Sequence, residues 1–328
     1  MIYALYAPLG RNMWYTEAKE VVFDEEVWKK IVDLAVDAGI NMIALDLGEG
    51  VRYGSHPELA HPGAWTRERV REEVVSLRER GIELIPKLNF SACHHLWLGE
   101  YRRMMGTKTY YNVCRDLITE VYYLFDKPRY IHLGMDEEGD PQFFKNFDIV
   151  SYRQGEMIWH DLQFLCDCVR DVGATPWIWG DLCLQFPEEF RKHVKEGSVL
   201  MSPWNYRALK PEHYTPIASQ QKYIDYYSVA PYKYMNLTYV EEDPFCVRFM
   251  NEAVPAAKDG YPIVPCVSNC FGCEYNEDDT FDYFTENLKE GELAGFMMAP
   301  WGPITETLFP RYEEGFRRFK AAKEKYCK

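Results

Sequence analysis

Short apolar runs recur along this chain, and after most of them the apolar positions return every three or four residues. The runs predict strands at 2–6, 41–46, 83–88, 130–135, 175–179, 199–203, 262–267 and 295–300. Asp24 is placed to cap a helix in which Val27, Ile31, Leu34 and Ala35 share a face, with Gly39 ending it. Thr66 opens a second, with Val70, Val74 and Leu77 on one side and a stop at Gly81. Further helices are predicted at 109–126, closed by Pro128, and at 152–172, closed by Gly173. Fainter helical patterns cover 187–194, 245–258, 278–290 and 310–325. Strand then helix, repeated eight times, predicts an α/β fold of the (β/α)8 TIM-barrel type, with one domain occupying residues 1–328. The stretch 205–244, rich in Tyr and Pro, interrupts the alternation. It is expected to form a long loop over the barrel mouth, as a lid, a groove wall or a subunit contact.

Composition narrows the setting. With 47% hydrophobic and 27% charged residues the chain suits a well-packed globule. A net charge of −14 argues against binding nucleic acid or an anionic membrane, and no apolar run has the length to span a bilayer. The start, Met1-Ile-Tyr-Ala-Leu, is expected to be a first strand rather than a signal segment. Ten scattered cysteines are expected to be free thiols, which points to a cytoplasmic location. Nothing in the sequence sets the oligomeric state.

The candidate chemistry is concentrated where the fourth strand ends, in Tyr130-Ile-His-Leu-Gly-Met-Asp-Glu-Glu-Gly-Asp140. Four acids in five residues are costly to bury unless they face a polar cavity with partners, and adjacent carboxylates suit acid-assisted bond cleavage. In a barrel the chemistry sits at the carboxyl ends of the strands. Those ends bring Arg11, then Asp46, Glu49 and Arg52, then Lys87, Asn89, His94 and His95, then Asp136, Glu137 and Glu138. The remaining ends bring Trp179 and Asp181, Trp204 and Tyr206, Ser268 and Asn269, and Trp301 and Glu306. Acids, amides and three Trp rings at one mouth suit a carbohydrate, whose apolar ring faces stack on aromatics while its hydroxyls bind amides and carboxylates. His132, inside the strand, is expected to be a satisfied core histidine.

At these residues the chain resembles the family 20 glycoside hydrolases, the β-N-acetylhexosaminidases. Their fourth-strand motif H-x-G-G-D-E is matched by His132-Leu-Gly134-Met135-Asp136-Glu137, with Met in place of the second Gly. Their third-strand I-P-E-x-D, followed by His, is similar to Ile85-Pro86-Lys87-Leu88-Asn89 and His94. Trp177-Ile-Trp179-Gly-Asp181 resembles the fifth-strand end, and Trp301 with Glu306 resembles the eighth more loosely. The stretches Asn-Met-Trp at 12–14 and Pro-Lys-Leu-Asn-Phe-Ser at 86–91 are also similar to those of family-20-like bacterial barrels.

The resemblance implies a hydrolase that removes a terminal β-linked N-acetylhexosamine by a substrate-assisted, retaining route, without cofactor or metal. Glu137 would be the general acid and Asp136 would orient the 2-acetamido group. Trp179, Trp204 and Trp301 would wall the sugar, with Tyr206 completing the acetamido pocket. Arg11, Asp46, Lys87, Asn89, His94, Asp181 and Glu306 would be further substrate-binding groups. Lys87 and Asn89 stand where the family has acids, so Lys87 is expected to pair with Asp46 or with Asp136. A pairing with Asp136 would favour a sugar lacking the acetamido group. A Glu137 locked by Arg52 or Lys87 would favour a silent, sugar-binding barrel. A separate signal, Cys266-x3-Cys270-x2-Cys273, has the spacing of the iron–sulfur triad of radical S-adenosylmethionine enzymes, and also fits a structural zinc or chance.

Overall fold

Eight parallel strands form one sheet in the order β6-β5-β4-β3-β2-β1-β8-β7. The computed structural model describes residues 1–10, 18–138, 153–213, 244–270 and 272–327. The strands are β1 (Ile2–Pro8), β2 (Met42–Asp46), β3 (Glu83–Lys87), β4 (Tyr130–His132), β5 (Thr175–Trp179), β6 (Leu200–Ser202), β7 (Cys266–Val267) and β8 (Gly295–Met298). β6 and β7 meet through bridges at Met201 with Ile263 and Trp204 with Cys266. Val264 N–H donates to Met201 O at 2.8 Å and Cys266 N–H to Pro203 O at 2.8 Å. The two sheet edges therefore join and the sheet closes into a (β/α)8 barrel.

Alternation along the strands divides the core in two. Ala4, Tyr6, Ala44, Ile85, Trp177 and Met297 fill the barrel interior. Their neighbours Leu5, Ile43, Leu84, Ile131, Ile178 and Met298 pack outward beneath the helices. The helices are α1 (Glu25–Asp37), α2 (Arg67–Glu79), α3 (Lys108–Leu124), α4 (Glu156–Val172), α5 (Asp181–Gln185), α6 (Pro187–His193), α7 (Pro244–Lys258), α8 (Asn276–Asn287) and α9 (Phe309–Tyr326). Asp24 caps α1 by accepting from Glu26 N–H and Val27 N–H, and Thr66 caps α2 by accepting from Arg69 N–H. Left-handed Gly173 ends α4.

The helices fall within a few residues of the expected spans, apart from the short α5, which the pattern does not signal. Six strands are shorter than expected, two of them, β4 and β7, by three residues or more. Regular β4 ends at His132, with Leu133 N–H still donating to Trp177 O and Trp179 N–H to Gly134 O before the left-handed turn, and β7 reduces to Cys266–Val267 with the separate bridge at Ile263. Most of the expected mouth loop lies outside the described residues, and so does Arg11.

Candidate active site

The turn after β4 places the two adjacent carboxylates. Gly134, Met135 and Glu137 all have positive φ, at 77°, 67° and 53°. Gly134 has no alternative residue, because a Cβ there would come within 2.1 Å of Asn89 Oδ1. Met135 is fully buried, which anchors the turn. Asn89, just past β3, reaches across and donates from Nδ2 to Asp136 Oδ1 at 3.2 Å, and Ser91 Oγ donates to the Asp136 carbonyl. On the other side the Glu137 N–H donates to Asp181 Oδ1 at 3.2 Å, and Trp204 Nε1 donates to Asp181 Oδ2 at 2.8 Å. The ends of the third, fourth, fifth and sixth strands are thus tied into one network.

His94 joins the two acids. Its Nε2 lies 2.9 Å from Glu137 Oε2 and 3.2 Å from Asp136 Oδ2. Burial, the largest single influence, opposes a charge on His94, but Asp136 and Cys93 together outweigh it and lift the imidazole well above its ordinary value. Burial likewise opposes ionisation of Asp136, yet His94 and then Lys87 bring it down to about 2. Asp181 moves the other way. Burial, then the charge of Asp136, pushes it up to about 8. Asp136 is nearly buried while the Glu137 side chain keeps 26% of its exposure, so Glu137 is the more accessible acid.

Lys87 pairs with Asp46 rather than with Asp136, and both are buried. Asp46 Oδ2 also accepts from Tyr6 OH at 3.1 Å. The Tyr6 ring packs on Trp301, centroids 4.5 Å apart, and Trp301 packs on Trp179 at 5.7 Å. Trp204 stacks on Tyr206 at 5.3 Å, and Tyr206 approaches Trp301 at 6.1 Å. Trp204 and Trp301 are half-buried, whereas Trp179 is buried against His132 and Trp301, so it supports the wall from behind.

Two expectations need correction. Glu306 is exposed and pairs with Lys30 of α1 at 2.6 Å, shortly before the start of α9. His132 is only half satisfied: Nδ1 accepts from Gly134 N–H at 3.1 Å, Nε2 has no partner, and burial followed by Lys87 holds the ring neutral. Ser268 and Asn269 are engaged locally, by Cys270 N–H at 3.1 Å and by the Arg311 carbonyl at 2.8 Å. Arg52 is exposed. His95 and Glu49 are buried.

Two residues were not legible as site components. Arg153 is fully buried and donates to Glu138 at 2.7 Å, to Asp161 at 2.8 Å, to the Phe90 carbonyl at 3.0 Å and to Tyr110 OH at 2.9 Å. It fixes Glu138, next to the catalytic candidates, and the only sequence signal is an excess of acids lacking a cation. Cys93 is the other. Its Sγ lies 3.4 and 3.3 Å from the carbonyls of Asp136 and Glu137. Among the described residues the side chains able to surround one metal ion are Cys93, His94 and Glu137. Cys266, Cys270 and Cys273 do not form such a group, and burial raises all three thiols, Cys270 to about 11. Among the described residues no helix is long and apolar enough to cross a membrane.

The molecule is therefore a parallel (β/α)8 barrel with a paired-carboxylate, His-bridged and aromatic-walled mouth. Its fold is that of the catalytic barrels of the family 20 β-N-acetylhexosaminidases. A β-N-acetylhexosaminidase from Bacteroides fragilis NCTC 9343 superposes with a TM-score of 0.58 at 16% identity, over 97% of this chain and 65% of that one. The GH20 enzyme of Streptomyces coelicolor A3(2) gives 0.60 at 12% identity, over 97% and 63%. The Streptomyces plicatus N-acetyl-β-hexosaminidase, in complex with Thio-NAglucal, gives 0.60 at 13%, over 97% and 63%. This chain spans less than two thirds of the length of these proteins. No protein-family model matches the sequence, and no curated protein matches it.

Proposed function

We propose that the chain is a glycoside hydrolase that removes a terminal β-linked N-acetylhexosamine, with Glu137 as general acid/base and Asp136 as the partner of the acetamido group. The observation that carries this reading is the unequal environment of the two adjacent carboxylates. Asp136 is buried and held ionised by His94, which suits an acceptor for the acetamido N–H. Glu137 is the more exposed and reaches the mouth from the same turn.

In the reaction the acetamido oxygen attacks the anomeric carbon while Glu137 protonates the departing glycosidic oxygen. Water then opens the cyclic intermediate, with Glu137 taking its proton. Asp136 orients the acetamido group and balances the charge that develops on its nitrogen. Trp204, Tyr206 and Trp301 supply the aromatic faces on which the sugar lies, and Asp181 positions both Glu137 and Trp204. Lys87, being spent on Asp46, leaves Asp136 to the substrate.

The test is a panel of nitrophenyl glycosides, N-acetylated and not, assayed with the wild type, Glu137→Gln and Asp136→Asn. Turnover of an N-acetylglucosaminide or N-acetylgalactosaminide that falls by about 100-fold or more in both variants supports the reading. Turnover confined to sugars without the acetamido group removes the role given to Asp136. A second reading, a sugar-binding barrel without catalysis, draws on the contacts that already occupy Asp136, from Asn89 and His94. Silence across the panel together with calorimetric binding of N-acetylhexosamine would favour it.

A further inference from the structure

We propose that Cys93, His94 and Glu137 form a site for a divalent cation of the zinc class, and that its occupation takes Glu137 away from the substrate. The second half rests on the role given to Glu137 above; the first does not. One ligand atom from each of the three side chains lies within 4.8 Å of the other two. A zinc ion with bonds of about 2.0–2.3 Å to sulfur, nitrogen and oxygen draws such atoms together with small rotations of the side chains. The mixed thiol, imidazole and carboxylate set is that of a borderline-soft cation rather than of magnesium or calcium.

Position supports the assignment. Cys93 and Glu137 are each partly exposed, so an ion can enter from the barrel mouth. Cys93 Sγ is held against the carbonyls of Asp136 and Glu137 and 3.0 Å from Ser91 Oγ, so the sulfur is seated beneath the turn that carries both acids. A fourth ligand is at hand in Asp136 Oδ2, 3.2 Å from His94 Nε2, or in a water from the mouth. On binding, the thiol proton of Cys93 and the second imidazole proton of His94 pass to solvent, and the thiolate, the neutral imidazole and the carboxylate bond to the metal. Glu137 cannot protonate a glycosidic oxygen while it holds a cation, so zinc and turnover exclude each other.

The experiment titrates the full chain with cobalt(II), the spectroscopic stand-in for zinc. A thiolate-to-cobalt charge-transfer band in the near ultraviolet is expected, lost in Cys93→Ser, with affinity weakened about tenfold or more. Glu137→Gln is expected to keep the band and weaken binding, which covers the case in which Cys93→Ser does not fold. No band in the wild type, or a band that survives in Cys93→Ser, overturns the site. Unchanged affinity in Glu137→Gln overturns the part assigned to that carboxylate. Zinc should abolish turnover of the best glycoside and a chelator should restore it. If the panel is silent but the cobalt band behaves as expected, the hydrolase reading falls and the metal site stands.

Discussion

Lys87 and Asp46 are joined in a buried ion pair at the ends of β3 and β2, each about 1% exposed. Tyr6 OH completes the coordination of Asp46. The Lys87 cation is therefore neutralised by Asp46 within the buried end of the barrel. Lys87→Met is expected to destabilise the barrel by about 3 kcal/mol, since it strands a buried carboxylate. Lys87→Met with Asp46→Leu should recover much of that loss, because removing both charges leaves none unpaired. Urea unfolding of the three proteins measures both effects.

Acid should weaken the His94–Asp136 pair. Asp136 is depressed in the folded state, so its stabilising contribution is whole above about pH 4, its unfolded value, and fades as the pH falls toward about 2. The size expected from that shift is roughly 2 kcal/mol. His94 is raised, so its contribution is whole below about pH 6.5 and is lost only as the pH climbs through its higher folded value. In thermal melts across pH, Asp136→Asn should flatten the loss of stability between about pH 4 and 2.

Asp181 carries the opposite sign. Its folded value, about 8, lies far above its unfolded one, so its contribution is whole below about pH 4 and declines as the pH rises toward 8. Asp181→Asn, which cannot ionise, should lose stability less steeply across that range. An identical slope in wild type and variant would place the ionisation elsewhere.

Arg153→Met leaves Glu138 and Asp161 buried without their cation. A loss of about 3–5 kcal/mol is expected. Because Glu138 also holds Ala92 N–H at 2.8 Å, the segment bearing Cys93 and His94 should loosen with it. Calorimetry gives the first effect, and a higher KM for the best glycoside would report the second.

Glu306→Gln should leave kcat and KM unchanged. Its carboxylate is exposed and is paired with Lys30 on α1. A drop in kcat would return Glu306 to the site.

The fold was legible because a barrel strand is a short apolar run and several of the helices between strands carry a clear cap or stop, as Asp24, Thr66 and Gly173 show. The Asp136–Glu137 pair was legible because charge at a strand end has few structural excuses. What escaped was geometry across loops. The resemblance pointed to His94, but the residues alone did not separate it from His95, since adjacent residues differ in which way the loop turns them. It offered both Asp46 and Asp136 as partners of Lys87, and the register of β2 against β3, with Asp46 opposite Lys87, decides in favour of Asp46. Glu306 misled because spacing after Trp301 says nothing about the direction of the chain beyond its left-handed backbone.

The uneven ladder of the barrel has a consequence for how the molecule breathes. β1 and β2 run in register from Ala4 opposite Met42 to Pro8 opposite Asp46, whereas β3 and β4 share one register position, Lys87 with His132, followed by hydrogen bonds from Leu88 N–H to His132 O and from Phe90 N–H to Leu133 O. Local opening costs least where backbone pairing is sparse. Amide protons on the β4–β7 arc should thus exchange with solvent well before those of β1–β3. The paired acids hang from the looser arc and lean on the firmer one through Asn89, so the mouth can adjust to a guest without the barrel coming apart.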